Sequence, residues 1–354
     1  MFEMLPRRSL IGAMEASGHV KRPCWVSLLV ASWVILRPAL AGCANGSPRT
    51  VRYWIPGFGH AVDPSNTSCT PAFLENITRF ASAIDVLAPY TWQVTPNGWI
   101  LDDSTRGCAT DGAWACMTQL SRKFPHLRIG AVGTKAGPDG YNDTSINSIA
   151  KDPETFQRRM QAWLNMHPEI DEVWTDFEGW DEKRLSLAEW ENVTRAHELM
   201  ALIKTTAMFN WLPGVKGSGS ENVTCAKFQA LAPHVVMQDP RAYDDTTIWP
   251  SKSVYGGFEV LVNDSLQECP QHTMLSVSIC PSCPIPRDRD DNLTQAQLYA
   301  RMDHMCDYGV KDVSVFTFFE LTMRPDQLGL RYLEALSYFR TGHKGLTSQE
   351  KVLI

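Results

Sequence analysis

Two carboxylates two residues apart are the strongest chemical signal in the sequence. Asp176 and Glu178 end an apolar run that includes Trp174. If this run is a β-strand, its side chains alternate, so Trp174, Asp176 and Glu178 share one face. Two negative charges that close raise the pKa of one carboxyl, which leaves a protonated acid near neutral pH. The spacing therefore predicts that Glu178 donates a proton to a leaving oxygen while Asp176 orients the reacting group.

The elements that position this pair follow from a repeated pattern. Eight short apolar runs are bounded by Gly, Pro, Asp or Asn, and amphipathic helical stretches separate several of them. The predicted strands are 51–56, 84–88, 127–132, 173–178, 206–211, 235–238, 274–279 and 313–319. The pattern predicts an α/β protein with one (β/α)₈ barrel over residues 48–340 and a C-terminal tail over 341–354. A doubly wound open sheet is the alternative, but no Gly-rich phosphate loop follows the first strand.

A barrel of this kind carries its chemistry at the carboxyl ends of its strands. Aromatic and polar residues at or just beyond these ends would form a platform for sugar rings, although any single Trp could instead pack beneath a loop. The predicted substrate-binding residues are Tyr90, Trp92, Trp211, Gln238, Asp239, Tyr243 and Glu320. Cys280 and Cys283 have a zinc-like spacing, but no second pair with His accompanies them. We therefore expect neither a metal nor a cofactor.

The N-terminal segment resembles a secretory signal. Basic residues precede an uncharged stretch at 25–36, which is too short to span a bilayer. Ala39 and Ala41 are the small residues that a signal peptidase reads, so we predict a signal peptide over 1–41 and cleavage before Gly42. The run from Leu40 to Cys43 also matches a bacterial lipoprotein motif, which is the alternative.

Sequons and cysteines favour the secretory interpretation. Eight of the 12 Asn residues lie in Asn-X-Ser/Thr, whereas chance predicts about two. These residues are Asn45, Asn66, Asn76, Asn142, Asn192, Asn222, Asn263 and Asn292. The mature chain would keep nine Cys residues, most of which should pair in an oxidising compartment. We therefore expect a secreted, disulfide-bonded glycoprotein.

Composition and charge restrict the partners. Hydrophobic residues make up 44% of the chain, which excludes intrinsic disorder. After cleavage the chain would carry 28 basic and 37 acidic residues, a net charge of −9, which argues against nucleic-acid binding. The predicted partner is a carbohydrate. We expect no membrane association after signal cleavage, and we expect the protein to be a monomer.

Asp171, Asp176 and Glu178 resemble the Asp-X-X-Asp-X-Asp-X-Glu motif of glycoside hydrolase family 18, the chitinases and chitinase-like proteins. The segment that contains Tyr90 and Trp92 is similar to the corresponding strand of several members. The resemblance implies hydrolysis of glycans that contain N-acetylglucosamine, with the substrate's own N-acetyl carbonyl as nucleophile. Carried over by position, it makes Glu178 the acid/base and Asp176 the residue that orients the acetamido group.

Two departures keep other functions open. Trp174 stands where the family has an inner Asp, and Gln238 stands where it has Tyr, a role that Tyr243 could take. A catalytically inert lectin on the same barrel is therefore one alternative.

Two further alternatives are glycosidases. Residues 176–180 are also similar to the Asp-Trp-Glu-Glu-Trp motif of the hyaluronidases, family 56. That resemblance keeps both roles but changes the substrate to a glycosaminoglycan, for which a net charge of −9 is unfavourable. The other alternative uses Glu178 as acid and Glu320 as a protein nucleophile.

Overall fold

Eight parallel strands close into a barrel in the computed structural model of the chain, which describes residues 42–63, 65, 67–103, 110–135, 143–177, 186–209, 225–239, 275–279, 294–323 and 327–344. The barrel strands are β1 (Thr50–Ile55), β2 (Val86–Val94), β4 (Arg128–Lys135), β5 (Glu172–Asp176), β6 (Thr205–Phe209), β7 (Val235–Asp239), β8 (Leu275–Ile279) and β9 (Asp312–Phe316). Strand β1 pairs with both β2 and β9, which closes the ring. A short strand, β3 (Ile100–Asp102), pairs antiparallel with the end of β2. The predicted (β/α)₈ fold is confirmed.

Helices alternate with the strands. They are α1 (Pro71–Arg79), α2 (Asp111–Lys123), α3 (Asp143–Lys151), α4 (Pro153–Met166), α5 (Leu187–Ala201), α6 (Cys225–Leu231), α7 (Gln295–Asp307), α8 (Phe318–Met323) and α9 (Gln327–Thr341). Capping boxes begin two of them: Ser186 with Glu189 at α5, and Thr294 with Gln297 at α7. No helix within the described ranges is long and apolar enough to cross a membrane.

Aromatic side chains fill the middle of the barrel. The Trp54 and Trp174 rings are both buried, and their centroids lie 5.1 Å apart, edge to face. A Cβ at Gly130 would lie 2.7 Å from the Cβ of Ala88 and 3.3 Å from Trp174 Nε1. The small residues at 88 and 130 thus make the space that two indoles need in one layer.

Most of the predicted strands differ from the observed ones by one or more residues at an end, and three of these differences concern the candidate site. The second continues to Val94, with an irregular register between Tyr90 and Trp92, because its extension pairs with β3. The fourth ends at Asp176, two residues before Glu178. The eighth ends at Phe316 rather than 319, because Phe318 begins α8, and Glu320 therefore lies in a helix.

Two disulfides join distant parts of the described chain. Cys43 pairs with Cys306 across 263 positions, and Cys69 pairs with Cys116 across 47. The first ties the segment before β1 to α7, and the second ties the segment before α1 to α2. The expectation of disulfide-stabilised loops is confirmed for these four cysteines.

Candidate active site

Asp176 is the last residue of β5 and lies at the carboxyl end of the barrel, where its side chain is half-buried. The Tyr90 hydroxyl donates a hydrogen bond of 2.6 Å to Asp176 Oδ2. Tyr90 is buried on β2, and Trp54 lies beside it with a centroid distance of 6.0 Å. The Tyr90 hydroxyl is a hydrogen-bond donor to a carboxylate oxygen, so it orients the Asp176 side chain.

Gln238 lies at the same level as Asp176, two strands away. The register runs from Asp176 to Phe209 on β6 and from Phe209 to Gln238 on β7. Gln238 is fully buried, and its Oε1 accepts a hydrogen bond of 3.1 Å from Trp54 Nε1. Its amide nitrogen has no hydrogen-bond partner among the residues that the structure describes. A buried donor in this position suits a carbonyl or hydroxyl oxygen of a ligand.

Trp174 forms the layer beneath Asp176. Its Nε1 donates a hydrogen bond of 2.9 Å to Glu172 Oε2, and the Arg52 guanidinium lies 6.0 Å from its ring centroid. The indole thus occupies the position of the inner Asp in the family 18 motif. On β5, an indole therefore separates the carboxylates of Glu172 and Asp176.

A buried ion network closes the opposite end of the barrel. Arg52 pairs with both Glu172 and Asp312, the latter at 2.8 Å, and Arg128 Nη1 lies 2.6 Å from Glu172 Oε1. Burial lowers the pKa of Arg52, but the charges of Asp312 and Glu172 outweigh it, and the pKa is raised above its ordinary value. Asp171, the first acidic residue of the motif, accepts a hydrogen bond of 2.9 Å from the backbone nitrogen of Ile129. Both Asp171 and Glu172 are thus structural.

His197 fixes the outer face of β5. Its Nε2 lies 2.8 Å from Thr175 Oγ1, and its Nδ1 lies 2.8 Å from the Val193 carbonyl oxygen. Complete burial lowers the pKa of His197 to about 4, so the ring is neutral at physiological pH. The sequence interpretation missed this residue, although its spacing from Trp190 and Val193 on α5 marks it as part of a buried helix face.

Trp92 does not lie at the barrel mouth, which corrects its predicted role as a sugar platform. The Trp92 side chain is fully buried, and its ring packs against Phe156, Trp163 and Phe177. Its Nε1 donates a hydrogen bond of 3.0 Å to the Ala131 carbonyl oxygen. A Cβ at Gly133 would lie 2.0 Å from this ring. The irregular register after Tyr90 reverses the alternation, so Tyr90 and Trp92 face opposite sides despite their spacing.

Trp99 is an exposed aromatic residue that the sequence interpretation did not select. It lies at the tip of the β2–β3 hairpin with 57% of its surface exposed, and Leu101 beside it is 48% exposed. The Arg159 guanidinium lies 4.2 Å from the Trp99 ring centroid, and Arg159 Nη1 donates a hydrogen bond of 2.7 Å to the Asn97 carbonyl oxygen. The indole is therefore held from one side. The sequence feature that could have identified Trp99 is its position directly after Asn97-Gly98, a pair typical of hairpin turns.

The structure thus brings Tyr90, Asp176 and Gln238 to one end of the barrel. Glu178, Trp211 and Tyr243 lie outside the described residues. Asp239 ends β7 and Glu320 lies in α8, but their side chains are also outside the described part. Within that part, no group of His, Cys, Asp and Glu could hold a metal ion.

Known proteins resemble this chain in structure. No protein-family model matches the sequence, and no curated protein does. The group IV chitinase of Ostrinia furnacalis in complex with allosamidin superposes with a TM-score of 0.59 at 10% identity, over 84% of this chain and 100% of that one. The family 18 chitinase catalytic domain of the fern Peteris ryukyuensis gives a TM-score of 0.54 at 11% identity, over 83% and 100%.

A third similar structure is also that of a family 18 enzyme. A fungal endo-β-N-acetylglucosaminidase of family 18 gives a TM-score of 0.53 at 10% identity, over 83% of this chain and 98% of that one. At these identities the likeness shows the fold alone, which is a (β/α)₈ barrel.

Proposed function

We propose that this protein is a secreted glycoside hydrolase that cleaves chitin-type glycans containing N-acetylglucosamine by a retaining, substrate-assisted mechanism. The observation that carries the proposal is the hydrogen bond from Tyr90 to Asp176 at the carboxyl end of β5. It holds a carboxylate at the place where a family 18 fold has its acetamido-orienting Asp, two residues before Glu178. The shared fold and the motif together support the assignment.

The roles follow from the chemistry of the bond. Glu178 protonates the glycosidic oxygen, and the acetamido oxygen attacks the anomeric carbon as the leaving sugar departs. Asp176 accepts the acetamido N–H and stabilises the positive charge of the oxazolinium ion that forms. Water then attacks the anomeric carbon from the face that the leaving sugar occupied, while Glu178 takes a proton from it. The bond from the anomeric carbon to the acetamido oxygen breaks, which opens the oxazolinium ring, restores the acid and retains the configuration.

The remaining residues position these groups. Tyr90 holds Asp176, and the amide nitrogen of Gln238 is a donor for a substrate oxygen. Trp99, held by Arg159 on the hairpin, offers an exposed ring for a more distant sugar. The side chains of Tyr90, Gln238 and Trp54 are themselves uncharged, which suits a neutral glycan.

Secretion is part of the proposal. The sequon excess and the two disulfides support an oxidising compartment. The sulfur of Cys43 is bonded to Cys306, whereas a lipoprotein would need that same sulfur for its lipid. The disulfide therefore favours a signal peptide over the lipoprotein motif.

A lectin is the second candidate because Trp174 replaces the inner carboxylate. Glu178→Gln separates the two functions, since it preserves shape while removing the proton donor. We expect turnover of chito-oligosaccharides to fall by about 10²–10⁴ and binding to persist. Glu154→Gln, an exposed change on α4, is the control and should keep full activity. A wild-type protein that binds these sugars but hydrolyses them no faster than Glu178→Gln would be a lectin.

A further inference from the structure

The segment before β1 is docked onto α7 by its backbone. The Gly42 nitrogen donates a hydrogen bond of 2.9 Å to Asp307 Oδ1, and the Cys43 nitrogen donates one of 3.0 Å to Asp303 Oδ1. The disulfide from Cys43 to Cys306 lies between these two contacts along the helix. Three successive attachments therefore fix the position of the Gly42 nitrogen.

Only glycine fits at this position. Gly42 has a φ of +54°, and a Cβ there would lie 2.0 Å from Asp303 Oδ1. On the other side, a Cβ at Gly342 would lie 2.8 Å from the Cys43 carbonyl oxygen. The close approach of Asp303 to the Gly42 backbone thus depends on the absence of a side chain.

A cavity of about 480 Å³ borders Gly42, and its lining also includes Asp303, Asp307, Tyr338 and Lys344. Asp303 also accepts from the Tyr338 hydroxyl, and Lys344 Nζ lies 3.6 Å from its Oδ2. Burial, with the hydrogen bond to Asp303, raises the pKa of Tyr338 to about 12, so the phenol stays neutral. Arg49, the residue directly before β1, donates a hydrogen bond of 3.0 Å to the Cys43 carbonyl oxygen.

We propose that these residues form a binding site for the α-ammonium group that is created when the Ala41–Gly42 peptide bond is cut. A signal peptidase would add water across this bond, which leaves a carboxylate on Ala41 and an amine on Gly42 that takes up a proton. The amide nitrogen donates one hydrogen to Asp307, whereas the ammonium brings three donors and a positive charge. Cleavage thus turns a neutral hydrogen bond into an ion pair with Asp307 and Asp303, in a cavity with room for the added hydrogens.

The ion pair predicts a specific pH dependence. An α-amino group ordinarily has a pKa of about 7.7–8.0, and two neighbouring carboxylates raise it in the folded state. The folded protein then holds its proton more tightly than the unfolded chain does. The stabilisation is therefore complete below about pH 7.7 and is lost as the pH rises through the folded-state pKa.

The test uses the full chain expressed in a eukaryotic secretory host. Mass spectrometry of the secreted protein should show Gly42 as the first residue. The melting temperature is then measured from pH 7 to pH 10 for the wild type, for Asp307→Asn, and for Glu154→Gln as an exposed control carboxylate. The wild type and the control should lose stability between pH 8 and pH 10, and Asp307→Asn should lose distinctly less.

A second variant guards against a folding defect in Asp307→Asn. A Ser inserted between Ala41 and Gly42 leaves all the described residues intact but moves the amine one residue away. Its N-terminus should react with an amine-directed reagent at pH 7 about tenfold faster than that of the wild type, as a pKa difference of one unit would give. The proposal would be overturned if the secreted protein began at a residue other than Gly42 or carried a lipid on Cys43. It would also be overturned if the wild type and the insertion variant had equal labelling rates and equal pH profiles.

Discussion

Two carboxylates on the same face of β5, Glu172 and Asp176, have opposite surroundings. Glu172 lies at the amino end of the barrel, fully buried, with Arg52, Arg128 and the Trp174 indole around it. Asp176 lies two layers of side chains higher, above Trp174, and is half-buried with the Tyr90 hydroxyl as a donor. The charge of Glu172 is neutralised by guanidinium groups within the protein, while the Asp176 carboxylate accepts a hydrogen bond from a neutral phenol.

The difference shows that residue type alone does not make an active site. A buried anion must be paired, and at Glu172 two guanidinium groups fulfil this requirement. An anion at the open end can keep part of its hydration and exchange it for a substrate group. Position along the barrel axis therefore separates the structural carboxylate from the candidate catalytic one.

The largest effect should come from Glu172→Gln. The change removes one of the two carboxylates that pair with the buried Arg52 and the carboxylate that pairs with Arg128, so the network gains a net positive charge. We expect the free energy of unfolding to fall by about 3–5 kcal/mol in denaturant titrations. Glu154→Gln on the surface should change it by less than about 0.5 kcal/mol. Equal stabilities of the two variants would show that the two ends do not differ as proposed.

Tyr90→Phe should have a smaller effect, on activity rather than on folding. It removes the hydroxyl that fixes Asp176 while keeping the ring against Trp54. The loss of one hydrogen bond to a charged group, about 1.5–3 kcal/mol, should lower kcat/KM about 10–100-fold on chito-oligosaccharides. Tyr299→Phe, whose ring contacts Tyr338 away from the barrel mouth, is the matched control and should retain wild-type kinetics. An unchanged kcat/KM for Tyr90→Phe would remove Asp176 from the mechanism.

Trp99→Ala should have the smallest effect, and one that depends on substrate length. If the exposed ring contacts a distant sugar, KM should rise about 3–10-fold for long oligosaccharides, since a stacking contact contributes about 1 kcal/mol. The shortest cleavable substrate should be unaffected, and so should kcat. Arg159→Gln, which removes the cation behind the ring, should reproduce part of the change. A KM increase that is equal for short and long substrates would exclude a distant subsite.

The local pattern of apolar and polar residues in the sequence was sufficient to predict most of the fold. The alternation of apolar runs located all eight barrel strands, and the Ser186 and Thr294 caps are readable because their partners lie three residues away. Strand ends were less predictable. The assignment of Trp92 to the mouth failed because it assumed an unbroken period of two, whereas pairing with β3 and the irregularity after Tyr90 reversed the face.

Long-range partners could not be predicted at all. Nothing near Glu172 in the sequence indicates that Arg52 will neutralise it, because the barrel alone brings β1 and β5 together. The small residues Ala88 and Gly130 that make room for Trp174 are likewise far from it along the chain. The pair Asp176 and Tyr90, 86 positions apart, could be expected only once both were placed at strand ends.

The most direct test of the proposed mechanism compares two substrates that differ only in their N-acetyl groups. The wild-type protein should hydrolyse a chito-oligosaccharide with retention, and a thiazoline mimic of the oxazolinium ion should inhibit it. The same oligosaccharide without N-acetyl groups should scarcely react, because it lacks the nucleophile that Asp176 holds. Robust cleavage of the de-N-acetylated substrate would contradict substrate assistance and would indicate a protein nucleophile, with Glu320 the first residue to replace.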